Sequence, residues 1–371
     1  MKIKNPFEKK IKTEEKISES PKSAVSAELP QESAEHLLTE INQVRAHRSW
    51  ESLSVPELEQ IKHKYTELGR MLGVELPLVE HDAPKEIHEV SLEEARELFT
   101  NNFYGPEAIK QAFGIEIDES EIPQIPYTQE TLEHAQKRGE FLILRISHDS
   151  DGHPLTMQRI TEIMEHHMDA EKEGKLLYSV DWYAQEPFYT DTAIKTEWKL
   201  VQSAVVPDVT SEKDEHGNYT KDTRNHNYIH QTRLLREYLI STNTLSTKDA
   251  ETCSDEILKV LSDEMGVDWD TQKITNNDIY TAHWQEVAHK LSALPINQTH
   301  RRIPAEIIYD WVMQFKQSKE RGILEYNYDW SSALSSDGDL VRVGFAGALG
   351  AYVVGGGPVH RLGVLGVVSQ Q

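Results

Sequence analysis

The side chains best suited to chemistry in this chain are its 17 histidines and its single cysteine, Cys253. His226 and His230 are four apart, which on a helix places both imidazoles on one face, the geometry of a zinc pair. Position 227 is Asn, so the glutamate base that a zinc-peptidase helix carries between its histidines is missing. With so many histidines such pairs arise by chance, and a structural pair is expected. Glu162 with His166, beside His167, gives a second helical spacing, read as a solvated face that also carries Glu165 and Glu171. Cys253 stands between Thr252 and Ser254 at an expected helix start, where the helix dipole lowers a thiol pKa. No particular His is assigned to it, so it reads as a bystander. The sequence contains neither G-x-S-x-G nor G-x-x-x-x-G-K-[ST]. The cluster Gly355, Gly356 and Gly357 is followed by no Lys, so it marks a turn or a close approach of backbones and not a phosphate cradle. These readings predict a protein that is not an enzyme and carries no cofactor and no metal.

The elements that would position these groups are mostly helical. Residues 1 to 32 are rich in Lys, Glu, Ser and Pro and cannot bury enough apolar area to offset ordering entropy, so a disordered tail is expected. Leu37, Leu38, Ile41 and Val44, then a capping box at Ser54 and Glu57, predict a helical hairpin over 33 to 75, suited to oligomerisation or attachment. A linker leads to Ser91, where Ser91-Leu-Glu-Glu94 is another capping box. Pro106 suits a helix start and Gly114 its end. Thr128 to Arg138 reads as a helix and Phe141 to Ile146 as a strand. Leu155 to Lys172 reads as an amphipathic helix, and Lys175 to Tyr183 and Thr196 to Val206 as strands, the last stopped by Pro207. Helices follow at 225 to 241, 251 to 265, 276 to 293 and 304 to 320. The fold class is therefore α+β, with one domain spanning 90 to 371. Trp182, Trp198, Trp269, Trp284, Trp311 and Trp330 are scattered singly and read as core.

Charge and composition narrow the partners. The net charge of -23 over 371 residues excludes nonspecific wrapping of nucleic acid, which needs clustered Lys and Arg. One cysteine rules out an intrachain disulfide. No run of eighteen apolar residues and no secretory leader is visible, so a cytoplasmic protein without membrane insertion is expected, with surface display by another export route as the alternative.

The last forty residues depart from all this. Eight of the 19 glycines fall between Gly344 and Gly366. Val343, Phe345, Val353, Val354, Val364, Val367 and Val368 would leave a large apolar patch in water, so the segment must pack as strands. The order Tyr328-Asp-Trp-Ser-Ser332, Ser335-Ser-Asp-Gly338, Val341 to Phe345, and a closing Leu365-Gly-Val-Val368 resembles the end of a C-type-lectin-like domain of the formylglycine-generating-enzyme type. Phe103-Tyr-Gly-Pro106, Phe141-Leu-Ile-Leu-Arg145, Asp181-Trp-Tyr183, Trp198-Lys-Leu-Val201 and Pro304-Ala-Glu-Ile-Ile-Tyr-Asp310 resemble uncharacterised candidate-phylum bacterial proteins with a variable C-terminus.

The constant frame around a variable stretch resembles the variable proteins of diversity-generating retroelements. In that family randomised codons of the form NNC encode neither Lys, Glu, Gln, Met nor Trp, and residues 341 to 369 contain none of the five. A buried glycine-rich hairpin would also avoid charge. The resemblance implies noncovalent binding of an unknown protein or other macromolecular ligand through Phe345, Ala346, Ala348, Leu349, Tyr352, Val354, Val359, His360 and Arg361. These side chains are expected on a loop surface between Phe345 and Val364, held by Val341, Val343, Val353, Leu365 and Val367. The family's face is usually rich in Tyr, Ser, Asn and Trp, whereas this one is dominated by Ala, Leu and Val. The enzymatic branch needs a cysteine pair that Cys253 alone cannot form, and the E-P-N and W-N-D calcium arrangements of sugar-binding lectins are absent. Two other classes remain: an assembly protein of a particle or envelope that uses the apolar hairpin, and a hydrolase using His and carboxylates.

Overall fold

The computed structural model describes residues 90–242, 244–245, 250–273 and 283–360. The chain divides into two units, Met1–Ile87 and His88–Gln371, and every described residue lies in the second. The expected tail, helical hairpin and closing strand fall outside the described residues, as does Arg361.

Local signals account for the first elements. Helix α1 (Leu92–Phe99) opens on Ser91, whose hydroxyl accepts from Glu94 N while the Glu94 carboxylate accepts from Ser91 N, the reciprocal capping box. A short strand β1 (Phe103–Tyr104) leads to α2 (Pro106–Phe113), which begins on a proline and ends at Gly114 with φ 70. Helix α3 (Gln129–Lys137) is capped by Thr128. Strand β2 (Phe141–Arg145) pairs in parallel with β1 and antiparallel with β3 (Glu197–Val201), giving a sheet in the order β1-β2-β3. Between them run α4 (Met157–Glu171) and the short α5 (Pro187–Thr190).

The second half supplies α6 (Tyr228–Ser241), α7 (Asp255–Glu264), α8 (Trp284–Ser292), α9 (Pro295–His300) and α10 (Pro304–Ser318). Residues 304 to 316 of α10 are buried except Glu306. A helix buried all round is a central strut. After it come β4 (Tyr328–Leu334), β5 (Leu340–Gly347) and β6 (Gly350–Gly356), an antiparallel meander in the order β4-β5-β6.

Strand alternation sends the two faces of this meander into different cores. Val341, Val343, Ala346, Ala351 and Val353 join a cluster built from the first sheet and α2, α4 and α10. Trp330 and Leu340 join a second cluster with Tyr228, Leu235, Leu258, Leu261 and Leu291 from α6, α7 and α8. One end of the outer face is thereby covered by helices.

Three expectations need correction. Lys175 to Tyr183 is not a strand: only Leu177 makes a bridge, parallel to Ala351, before the chain turns at residues 181 to 185. The third strand stops at Val201, well before Pro207. Residues 345 to 356 do not form a display loop, because β5 runs to Gly347, Ala348 and Leu349 form a tight turn, and β6 spans Gly350–Gly356.

Candidate recognition surface

The Tyr328 to Ser332 motif is a structural clamp. Asp329 Oδ2 accepts from Arg302 Nη2 at 2.8 Å, and Arg302 Nη1 donates to Asp310 Oδ2 at 2.7 Å. Asp310 also receives Arg145 through two bonds, Nε to Oδ1 at 3.0 Å and Nη2 to Oδ2 at 2.7 Å. All four side chains are buried, so β2, α10 and β4 are tied together by an alternating chain of charges. Burial alone would lower the Arg145 pKa, but Asp310 and Glu306 outweigh it and raise it. Trp330 meets the Tyr228 ring edge-on at 5.5 Å. Ser331 Oγ donates to Val341 O, and Ser332 N donates to Arg302 O.

The next turn is anchored as firmly. Ser336 donates through both its N and its Oγ to the Glu186 carboxylate, each at 2.7 Å. Gly338 takes φ 84, a conformation that costs glycine nothing.

Close backbone approach explains two glycines of the hairpin. A Cβ on Gly344 would lie 1.9 Å from Asn327 O and 2.5 Å from Tyr328 Cα, and one on Gly350 would meet Leu177 C at 2.4 Å. Gly347, between them, has open space where a Cβ would go. The register shifts between Gly344 and Gly347, and Phe345 sits in that bulge with φ 49. A bulge turns two successive positions the same way. Gly344 and Phe345 therefore leave Ala346 pointing inward.

The uncovered end of the sheet is aromatic. Tyr328 pairs with Gly344 and Gly344 with Tyr352, which places the two tyrosines on one face. The Phe345 ring lies 4.7 Å from Tyr328, and Tyr352 stacks on Tyr178 at 4.3 Å. Arg342 lies beneath, 5.1 Å from the Tyr328 ring and 4.9 Å from Trp330. Trp182 donates its indole N–H to Val353 O at 3.0 Å. Among the described residues eight large apolar side chains are exposed, and five of them, Tyr178, Trp182, Tyr326, Phe345 and Leu349, border this end of the hairpin.

The expected contact residues divide accordingly. Phe345, Ala348 and Leu349 are exposed and Tyr352 and Val354 are half-buried, so these five share the hairpin surface. Ala346 is fully buried and Val359 nearly so, Ala346 because of the bulge and Val359 because it packs into the second cluster. Both support the surface and do not line it. His360 lies beyond the end of β6, about 20 Å along the strand from the turn at Leu349, beside Gly356 and Asp339. Tyr178, Trp182, Tyr326 and Tyr328 were not among the expected contacts. Trp182 in particular was expected in the core, whereas it is 45% exposed. The alternation of aromatics in Tyr326-Asn-Tyr328 was a readable signal; nothing local marks Tyr178.

His360 carries a pH dependence of known sign. Burial, with Arg342 adding repulsion, lowers its pKa below 6.5, while Asp339 opposes this. Its contribution to stability is therefore fully present above about pH 6.5 and is lost as pH falls through the lowered value. Burial raises the Asp339 carboxyl above 3.8, so that contribution is present below pH 3.8 and is lost as pH rises through the raised value. His360→Gln is expected to flatten the urea-midpoint profile below about pH 6.5; a slope equal to wild type would contradict this.

The other chemical candidates have structural occupations. His226 Nδ1 contacts Gln272 Nε2 at 2.8 Å, and the buried His230 packs 4.9 Å from Trp269. Glu162 accepts from Gln158 and Arg159. Asp149, Asp151 and His153 could offer atoms to one cation. Asp149 already accepts from the amides of Asp151 and His153 and from Arg159, which closes its loop. Ser147 Oγ meets His148 Nδ1 at 2.8 Å beside a cavity of about 810 Å³. Among the described residues no carboxylate hydrogen-bonds to His148, so nothing there orients it as a base.

Cys253 is fully buried, and burial pushes its thiol up to about 11. It should react with iodoacetamide at pH 8 at least ~100-fold more slowly in the folded protein than in urea; labelling at the unfolded rate would show that it is open.

Comparison with family models, curated proteins and solved structures finds no match for this chain. Among the described residues no helix is long and apolar enough to cross a membrane.

Proposed function

We propose that this protein is a noncovalent ligand-binding display protein, with a lectin-like domain and a diversified C-terminal surface like those of retroelement variable proteins. The observation that carries this reading is the convergence of five of the eight exposed large apolar side chains around one hairpin. Exposed apolar clusters of this kind mark interaction sites, and rigid aromatics bind at low entropic cost. The division of labour within the segment supports it further. Gly344, Gly350, Trp330, Asp329 and Ser331 are fixed by backbone contacts, stacking, ion pairs and hydrogen bonds. Phe345, Ala348, Leu349, Tyr352 and Val354 project from that frame.

On this reading the ligand is a protein or other macromolecule met in the cytoplasm, and no catalysis or cofactor is involved. The test is the surrounding DNA. A second, imperfect copy of the codons for residues 329 to 371, differing only where it carries adenine and lying beside a reverse transcriptase gene, is expected. A locus lacking both would overturn the diversification.

The same apolar surface would serve self-assembly, the competing use. Sedimentation from about 1 to 100 µM separates the two, a range spanning weak association. Constant mass supports display, and mass that rises with concentration supports assembly.

A further inference from the structure

The cavity of about 810 Å³ opens at the carboxyl end of β2 and takes no residue from the hairpin. Small-molecule sites run from roughly 300 to 1,000 Å³. Local chemistry builds its two walls. Helix α2 stops at Gly114, with φ 70, and the chain continues along one wall through Ile115 and Ile117. Asp118 then closes a tight turn, its Oδ1 accepting from Ser120 N at 2.8 Å and from Ser120 Oγ at 2.6 Å. The facing wall is the continuation of β2 through Ile146, Ser147 and His148. Because β2 pairs with β3 as far as Arg145 and Glu197, Thr196 arrives beside Ser147, whose N donates to Thr196 Oγ1 at 2.9 Å.

The lining offers two kinds of neutral contact. Ile115 and Ile146 are buried and Ile117 is half-buried, which gives the cavity an aliphatic side. Thr196 Oγ1, Ser147 Oγ and His148 Nδ1 form a chain with links of 2.9 and 2.8 Å. Hydroxyls in such a chain can turn to donate to a guest or to accept from it.

The charge on the lining has one sign. Glu116, Asp118, Glu121 and Asp149 border the cavity, and no Lys or Arg does. Two of these acids are neutralised from outside, Glu116 by Lys110 at 2.5 Å and Asp149 by Arg159 at 2.6 Å. Asp118 is bonded to Ser120, which brings no charge, and those bonds hold its carboxyl below the usual carboxylate range. Among the described residues neither Asp118 nor Glu121 has a salt-bridge partner. Carboxylates on an open surface only gather mobile counterions. Here two of them border a hollow that also presents aliphatic carbon, which a bare divalent ion does not use, since its ligands are oxygens.

We propose that this cavity binds a small organic cation, an alkylammonium whose charged head lies by Asp118 and Glu121 and whose carbon chain lies against Ile115, Ile117 and Ile146. Thr196, Ser147 and His148 serve a polar substituent on the same molecule. The site does not depend on the display reading, because it shares no residue with the hairpin surface.

The test titrates the full chain with pentylammonium at low salt and follows backbone amides by NMR. Saturable binding with Kd below about 1 mM is expected, within the ceiling for a ligand of so few atoms. The shifts should concentrate at residues 114 to 121, 146 to 152 and 196. 1-Pentanol has the same chain without the charge and should bind at least about fivefold more weakly, the upper worth of one exposed ion pair. Asp118→Asn combined with Glu121→Gln should weaken pentylammonium by about the same factor and leave pentanol unchanged. Both positions are exposed, and thermal melts accompany the affinities. Should that variant fail to fold, the comparison of the two probes on the wild-type chain decides alone.

Pentanol binding as tightly as pentylammonium, or a folded double variant that binds the amine unchanged, would overturn the cation. Shifts that spread over the acidic surface without saturating would show counterion attraction only and overturn the site. Saturable shifts with calcium and none with the amine would overturn it in favour of a metal.

Discussion

Asp310→Asn is expected to lower the unfolding free energy by about 3 to 5 kcal/mol, the range for removing one partner of a buried ion pair. The substitution keeps the volume of the side chain, removes its charge and turns one of its two accepting oxygens into an amide donor that faces a guanidinium. Arg145 and Arg302, both buried, then lose the carboxylate they share. Arg145 retains Glu306 at 2.9 Å and Arg302 retains Asp329 at 2.8 Å. Glu306 lies in α10, so β2 stays tied to that helix, whereas the Arg302–Asp329 pair at the start of β4 loses its ionic link to α10. Urea unfolding followed by tryptophan fluorescence would measure the change, and a loss below about 1 kcal/mol would place Asp310 among the dispensable ion pairs. Such a network is weak evidence of net stabilisation, since a packed apolar replacement of all members could be as stable. What it supplies is register. It fixes where the hairpin frame starts.

Gly344→Ala is the second large effect. The added methyl would lie 1.9 Å from Asn327 O and 2.5 Å from Tyr328 Cα, and both obstacles are backbone of the paired strand. Neither can rotate away, so β4 and β5 must part at the start of the exposed aromatic surface. A loss of at least about 3 kcal/mol is expected, the upper end of overpacking. Gly347→Ala is the internal control. It meets nothing within 4 Å, and its change should stay within about 0.5 kcal/mol, as at ordinary surface positions. Equal losses at the two positions would show that the hairpin is generally intolerant, and the separation of frame from display would fail.

Much of the framework was legible because it rests on local chemistry. The Ser91 capping box, Pro106 with Gly114, the Thr128 cap and Pro304 each fix a helix end through contacts within a few residues. Strand β2 was legible as a short apolar run after Gly139. The segment at 175 to 183 misled because Leu176 and Leu177 are buried like strand residues, yet it only lies along a sheet edge and makes one bridge. Arg145 and Asp310 were hidden inside apolar runs, where a charged residue carries no local sign of a partner 165 positions away.

The candidate surface was half legible. Phe345, Leu349 and Tyr352 follow from strand alternation near a turn, but the bulge at Phe345 inverts the parity and hides Ala346. Trp182 reaches Val353 across 171 positions, and only the folded chain brings them together.

Thermal unfolding of one variant separates a rigid frame with replaceable surface side chains from a packed core. Phe345→Ser, Leu349→Ser, Tyr352→Ser and Val354→Thr, combined in the full chain, should shift the melting temperature by less than about 5 °C. A fall of 15 °C or more, roughly the cost of emptying a packed core at two or more sites, would show that these residues hold the domain together and would contradict a rigid frame with a replaceable surface.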